Sequence, residues 1–292
     1  MHTPLLLLLL LPLLAACAGD ATGSDTGGAT DGGDGGAEVL PDVPVYTGGT
    51  CPIIDSGSNS DFLSADIERD FRVALPAQPE GAGVVFAWHW LGGSASQIMS
   101  YMDLQSMADD HGFIVVAPDS RSSEAYEWDF NSGADDNADA ILFDDLVACL
   151  HAQYGVDMGA IHATGMSAGG LWTTWLTVFR STLLASTAPL SGGTSPGTYI
   201  SPEEPIPVLV TWGGSSDSYG GFSFDDASLD FSSNLQADGH FVAECEHDDG
   251  HTIPSEATAY VGQWFADHRR NATSEAYADG LPAVFPDWCR LP

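Results

Sequence analysis

The chain of 292 residues is 44% hydrophobic and 10% aromatic, enough apolar surface for one α/β domain of catalytic size, and this excludes disorder of the whole chain. It has 41 acidic residues against seven arginines and no lysine, a formal charge of −34, which excludes a role in tracking nucleic-acid phosphates. Such a surface stays well solvated in salt and by itself names no partner.

The first feature along the chain is an apolar run, residues 4–14, too short to span a bilayer as a mature helix and ending in Leu14-Ala15-Ala16-Cys17. That ending resembles a bacterial lipobox, so residues 1–16 are expected to be a lipoprotein signal peptide. Cys17 would then carry the lipid, the only expected membrane contact. The segment before the run holds His2 but no Lys or Arg, and simple secretion is the alternative. Residues 17–50 read as a flexible Gly/Asp/Thr-rich tether and 51–292 as the folded catalytic domain. Asp31-Gly32-Gly33-Asp34 lacks the ligand register of a calcium loop, and no Cys-x-x-Cys pair occurs, so no metal is expected. Four cysteines remain in an exported domain, Cys51, Cys149, Cys245 and Cys289. They allow two disulfides in three connectivities, and Cys149, in an apolar helical stretch, also reads as a buried free thiol.

In chain order, strands are expected at 70–75, 83–89, 113–117, 160–165, 183–189, 207–212 and 241–246. Helices are expected at 96–110, 137–154, 168–180, 225–238 and 256–268. The near-continuous apolar strands and their alternation with helices predict an α/β fold: a mostly parallel central sheet with helices on both faces, in a single domain. Loops 119–136 and 191–206 follow strands, where such sheets gather their sites.

The sharpest motif is Gly165-Met166-Ser167-Ala168-Gly169-Gly170, a strand running through G-x-S-x-G into an apolar helix. Small residues around the serine permit a sharp strand-to-helix turn that raises its hydroxyl above the sheet and leaves the next N–H free for an oxyanion. A serine hydroxyl needs a base, and the base an orienting acid, expected here in the order Ser, acid, His. Strand 207–212 ends at Gly213-Gly214-Ser215-Ser216-Asp217, and strand 241–246 leads to His247 and His251. Among nine histidines, His251 is the expected base, because Gly250 and Pro254 define its turn; His247 on the same loop is the rival. Asp217 is preferred as the acid over Asp225 and Asp226, which read as a helix N-terminus.

The second oxyanion donor should come from the Gly-rich loop after strand 83–89, His89-Trp90-Leu91-Gly92-Gly93. Candidate backbone donors are the N–H groups of Leu91, Trp90 and Ala168. Trp90 and Trp128, both on loops, are the candidate walls of a substrate site.

The run from Asp144-Asp145 through Tyr154-Gly155-Val156-Asp157 to the serine motif resembles the polyhydroxybutyrate-depolymerase-type esterases, a group of α/β-hydrolases that includes feruloyl and acetylxylan esterases. His111-Gly112-Phe113 to Ala117-Pro118-Asp119 and Gly250-His251-Thr252-Ile253-Pro254 resemble further blocks of that group, over roughly residues 66–268. Three departures bear on the substrate site: His89-Trp90 replaces the group's His-Gly turn, the loop before Asp217 is one residue longer, and Ile253 replaces a tryptophan. The resemblance implies an ester substrate, small or polymeric, no organic cofactor, and attack by Ser167. The competing readings are a peptidase or acyltransferase on the same scaffold, or a surface-binding lipoprotein without catalysis.

Overall fold

The computed structural model describes residues 40–121, 126–134, 136–270 and 276–292. The expected signal peptide, Cys17 and the tether up to residue 39 lie outside the described residues.

The elements in chain order are β1 (Gly57–Ser64), β2 (Ile67–Ala74), β3 (Val84–Trp88), α1 (Ala95–Tyr101), α2 (Leu104–His111), β4 (Ile114–Pro118), α3 (Ala138–Tyr154) and β5 (Ile161–Met166). They continue with α4 (Ala168–Phe179), β6 (Ser186–Leu190), β7 (Val208–Trp212), β8 (Ser218–Tyr219), β9 (Phe222–Ser223), α5 (Phe224–Ala237), β10 (Val242–Glu246), α6 (Ala257–Asp267) and β11 (Cys289–Arg290). Among the described residues one sheet runs in the order β1-β2-β4-β3-β5-β6-β7-β10-β11. The six strands from β4 to β10 are mutually parallel, with β1, β2 and β11 added antiparallel. This is the α/β-hydrolase arrangement expected.

Strand periodicity sorts the core onto two faces. Val84, Phe86 and Trp88 of β3 point to the side packed by Phe143 and Leu146 of α3, Trp172 of α4 and Phe231 of α5. Val85 and Ala87 point to the other side, with Leu104 of α2 and Tyr260 and Trp264 of α6. Local chemistry sets the helix ends. Asn137 caps α3 by accepting from the Asp139 and Ala140 N–H groups, and Gly155 stops it at φ 59°. Asp139, in the first turn of α3, is fully buried, pairs with Arg69 at 2.9 Å and accepts from Asp129 N–H, which holds the loop before α3.

Several expectations need correction. The helix expected at 96–110 is two helices, broken at Met102-Asp103, where Asp103 takes a left-handed φ of 46°. The strand expected at 183–189 begins only at Ser186. β1 was not expected: it is a half-exposed edge strand with a bulge between Asn59 and Phe62, so it lacks an apolar run. Cys149 is not a free thiol, since the disulfides join Cys51 to Cys149 and Cys245 to Cys289. The tether ends before residue 50: Thr47 donates its N–H and hydroxyl to the buried Asp145 carboxylate at 2.7 and 2.6 Å, and Tyr46 bonds the Leu63 carbonyl. A flexible tether cannot satisfy a buried carboxylate; a docked segment can.

His162 of β5 is fully buried, with its ring nearly parallel to Phe265 at 4.8 Å. Its Nδ1 meets Ser186 Oγ at 2.9 Å, and Nε2 has no partner among the described residues. Burial, then the neighbouring His268, pushes its pKa down to about 3, against the opposing pull of Ser186. The unfolded chain titrates this group near ~6.5. As pH falls from there, the unfolded state takes up a proton the folded state refuses, and stability is lost at about 1.4 kcal/mol per pH unit for this group. Urea unfolding followed from neutral pH to about pH 4 should show that acid slope, reduced by about this amount in His162→Gln. An unchanged slope in the variant contradicts the assignment.

Candidate active site

β5 ends at Met166 and α4 begins at Ala168, so Ser167 makes the whole turn, at φ 58° and ψ −115°. That conformation costs a non-glycine residue ~1–3 kcal/mol, and the surroundings enforce it. A Cβ on Gly169 would lie 1.9 Å from the Trp88 carbonyl oxygen, and one on Gly165 would lie 2.5 Å from the Gly169 oxygen. The glycines of the motif therefore let α4 and β3 close on each other and drive the serine upward.

The strands on one side of β5 supply the remaining groups. Past β10, His251 places Nε2 2.9 Å from Ser167 Oγ. Past β7, Asp217 places Oδ1 2.7 Å from His251 Nδ1. The other carboxylate oxygen accepts the Gly213 N–H and the Ser191 hydroxyl, each at 2.8 Å. Burial works to raise the Asp217 pKa, but the bonds from His251, Gly213 and Ser191 outweigh it and hold the carboxyl below the usual range. The carboxylate thus has no proton to give, so Nδ1 carries the imidazole hydrogen and Nε2 faces the serine as an acceptor. The Asp217 and His251 loops are zipped together: Gly250 N–H donates to Gly213 C=O at 3.0 Å, and a Cβ on Gly213 would lie 1.9 Å from the Gly250 oxygen. Phe224 and Tyr219 lie nearly parallel to the imidazole, at 4.4 and 5.9 Å.

All three residues expected from the motif and its spacing come together here. The rival, His247, does not join them; its Nδ1 accepts the Asp249 N–H and its ring meets Trp288. Ser191 was missed. It follows β6 directly, at the start of the loop singled out at 191–206, and the sequence signal available was its position at a strand end.

The loop after β3 is held from outside. Ser120 N–H donates to His89 Nε2, which leaves Nδ1–H to donate to the Trp90 carbonyl, and Trp128 Nε1–H donates to the His89 carbonyl at 2.9 Å. Burial lowers the His89 pKa and keeps this ring neutral, against the pull of the Trp90 carbonyl and nearby carboxylates. Glu127 accepts Gly92 N–H at 2.8 Å through one oxygen and the Ser120 hydroxyl through the other, from a left-handed backbone at φ 70°. Within this turn and at the start of α4, the N–H groups of all three candidate donors, Trp90, Leu91 and Ala168, have no acceptor among the described residues.

Two cavities open on Ser167. The smaller, about 220 Å³, is walled by Trp90, Tyr101, Met166, His251 and Ile253. The larger, about 780 Å³, runs past Ala168 and Leu171 to Trp175 and Ile200. Leu91 and Tyr219 border both. Trp90, a candidate wall, lines the smaller of the two. Trp128 does not: it is 1% exposed, edge-on to Trp88 at 4.9 Å, and belongs to the core, where it braces the His89 loop. Tyr101 and Tyr219, not foreseen, line the cavities instead. Among the described residues no group of three or more His, Cys, Asp or Glu is arranged to hold a metal ion.

Residues 99–262, more than half of the chain, match the prolyl oligopeptidase family. Feruloyl esterase B of Talaromyces stipitatus is 28% identical over 112 residues, 37% of this chain and 31% of that protein. The oxidized polyvinyl alcohol hydrolase of a Pseudomonas species is 22% identical over 295 aligned positions, 74% of this chain and 77% of that one. The first feruloyl esterases matched are covered over only 31% to 42% of their own length. The solved structure of native sOPH superposes with a TM-score of 0.66 at 19% identity, covering 85% of this chain and 96% of that one, a likeness of fold.

If Glu127 clamps the turn, Glu127→Ala should raise amide hydrogen exchange at Gly92 and its neighbours about tenfold or more, the equivalent of one charge-assisted bond of ~1.5 kcal/mol. Exchange unchanged from the wild type contradicts the clamp.

Proposed function

The chain belongs to the prolyl oligopeptidase family, and from that premise we propose that it is a serine esterase that hydrolyses carboxylic esters through an acyl-enzyme. The observation that carries this reading is the continuous relay from Asp217 through His251 to Ser167, with bonds of 2.7 and 2.9 Å, on a strained strand-to-helix turn.

In this mechanism His251 Nε2 takes the Ser167 proton as Oγ attacks the ester carbonyl, and Asp217 holds the ring and stabilises the imidazolium. The Leu91 and Ala168 N–H groups receive the oxyanion. Each such donor is worth ~2.7–4 kcal/mol of barrier when pre-aligned. The imidazolium returns the proton to the departing alkoxide, and water, activated by the same histidine, frees the acid. Relatives named as feruloyl and acetylxylan esterases support ester substrates. Feruloyl, acetyl and hydroxyalkanoate esters are the candidate class. Two disulfides fit an oxidising compartment. The reading therefore includes export, removal of residues 1–16 and anchoring by lipid on Cys17.

The family's description favours one second reading, hydrolysis of peptide bonds. Faster turnover of aminoacyl anilides than of matched esters would install it.

With methyl ferulate, p-nitrophenyl esters and hydroxybutyrate oligomers as substrates, Ser167→Ala should fall to background while its circular dichroism stays that of the wild type. Asp217→Asn should lower kcat about 10⁴-fold, through the wrong imidazole tautomer. Substantial activity in folded Ser167→Ala sinks the assignment.

A further inference from the structure

The two cavities at Ser167 differ in size and in which part of the machinery borders them. His251 walls only the smaller one, and Ala168, whose N–H is one of the expected oxyanion donors, borders only the larger one. Chemistry then orients the substrate. When the tetrahedral intermediate collapses, the bond between the acyl carbon and the ester oxygen breaks, and that oxygen takes the proton held on His251 Nε2. The ester oxygen and its alcohol group must therefore lie on the histidine side, and the group on the acyl carbon must leave in the other direction, past Ala168. The hairpin of β8 and β9 keeps the two sides apart. It turns at Gly220-Gly221, with φ of 60° and 87°, and sets Tyr219 on the border between the cavities.

We infer that the groove of about 780 Å³ is the acyl site and the pocket of about 220 Å³ the alcohol site, so that the preferred substrates are esters of a long or aromatic, uncharged acid with a small alcohol. This rests on the esterase reading above and adds to it the class of acid and alcohol. The groove carries Phe130, Trp175, Phe179 and Phe222, and neither cavity has an Asp, Glu or Arg in its described lining. An acyl group with its own carboxylate would find no cation in this groove, and would approach a chain of net charge −34. A neutral apolar chain gains burial with each methylene, roughly three- to fourfold in kcat/KM while it remains inside the groove.

The test uses two substrate series with the whole exported domain: methyl esters of acids from acetic to hexanoic and 3-phenylpropanoic, and acetates of alcohols from methanol to hexanol and benzyl alcohol. The expected result is a rise in kcat/KM of tenfold or more along the acid series, and a flat or falling response along the alcohol series. Leu171→Trp, at the groove wall, should bring the hexanoate-to-acetate ratio towards one. Tyr101→Ala, at the exposed rim of the smaller pocket, should raise the ratio of benzyl to methyl acetate. Ratios that run in the opposite sense, or stay flat in both series, overturn the assignment of the cavities. No turnover of any ester by folded protein overturns the esterase reading beneath it, so the two failures are distinguishable.

Discussion

The site depends on backbone pressed against backbone at two places where no side chain fits. At one, Gly169 of α4 meets the Trp88 carbonyl of β3, with room for no Cβ beyond 1.9 Å. At the other, Gly213 after β7 meets the Gly250 carbonyl after β10, again at 1.9 Å for a Cβ. The first contact forces the turn that lifts Ser167 out of the sheet. The second joins the loop of Asp217 to the loop of His251. A parallel sheet with its strand ends in register supplies the platform, and the glycines turn it into a site by removing the separation a side chain would impose.

Around this centre, polar groups are used in pairs, with little left to water. Asp217 is buried, yet each of its oxygens is satisfied, by His251 on one side and by Ser191 and Gly213 on the other. The loop that carries the Leu91 N–H is fixed by bonds from Ser120, Trp128 and Glu127, all on the segment after β4. That segment is in turn tied to α3 through the buried Asp139 and its partner Arg69 on β2. The turn that carries Leu91 is thus held through a chain of polar contacts that reaches β2, two strands away from β3. A loop of glycines alone would pay heavily in conformational entropy to hold one geometry.

Much of this was legible in the sequence because its signals are local and periodic. The central strands are apolar runs of five or six residues, and the motif around Ser167 joins one of them to an apolar helix. Asp217 and His251 sit just past the ends of two such strands, and the Gly250 and Pro254 that bound its turn set His251 apart from His247 on the same loop. What escaped depends on contacts between distant segments. β1 is polar and half-exposed, and becomes a strand only by pairing with β2. Trp128 lies in an irregular loop, and burial against Trp88, 40 positions earlier, makes it core instead of wall. Glu127 and Ser191 gain their roles from partners 35 and 26 residues away, a separation that no spacing rule encodes. The pairing of Cys51 with Cys149 follows from the docking of residues 46–54 on α3, which a glycine-rich composition conceals.

The central claim is that this relay makes Ser167 a nucleophile, and its most direct test is intact and peptide-level mass spectrometry after treatment with an alkyl fluorophosphonate. The account predicts one adduct per chain, on Ser167, formed much more slowly when Asp217 is replaced by Asn. A folded chain that takes up no adduct, or takes it on another residue, would contradict it.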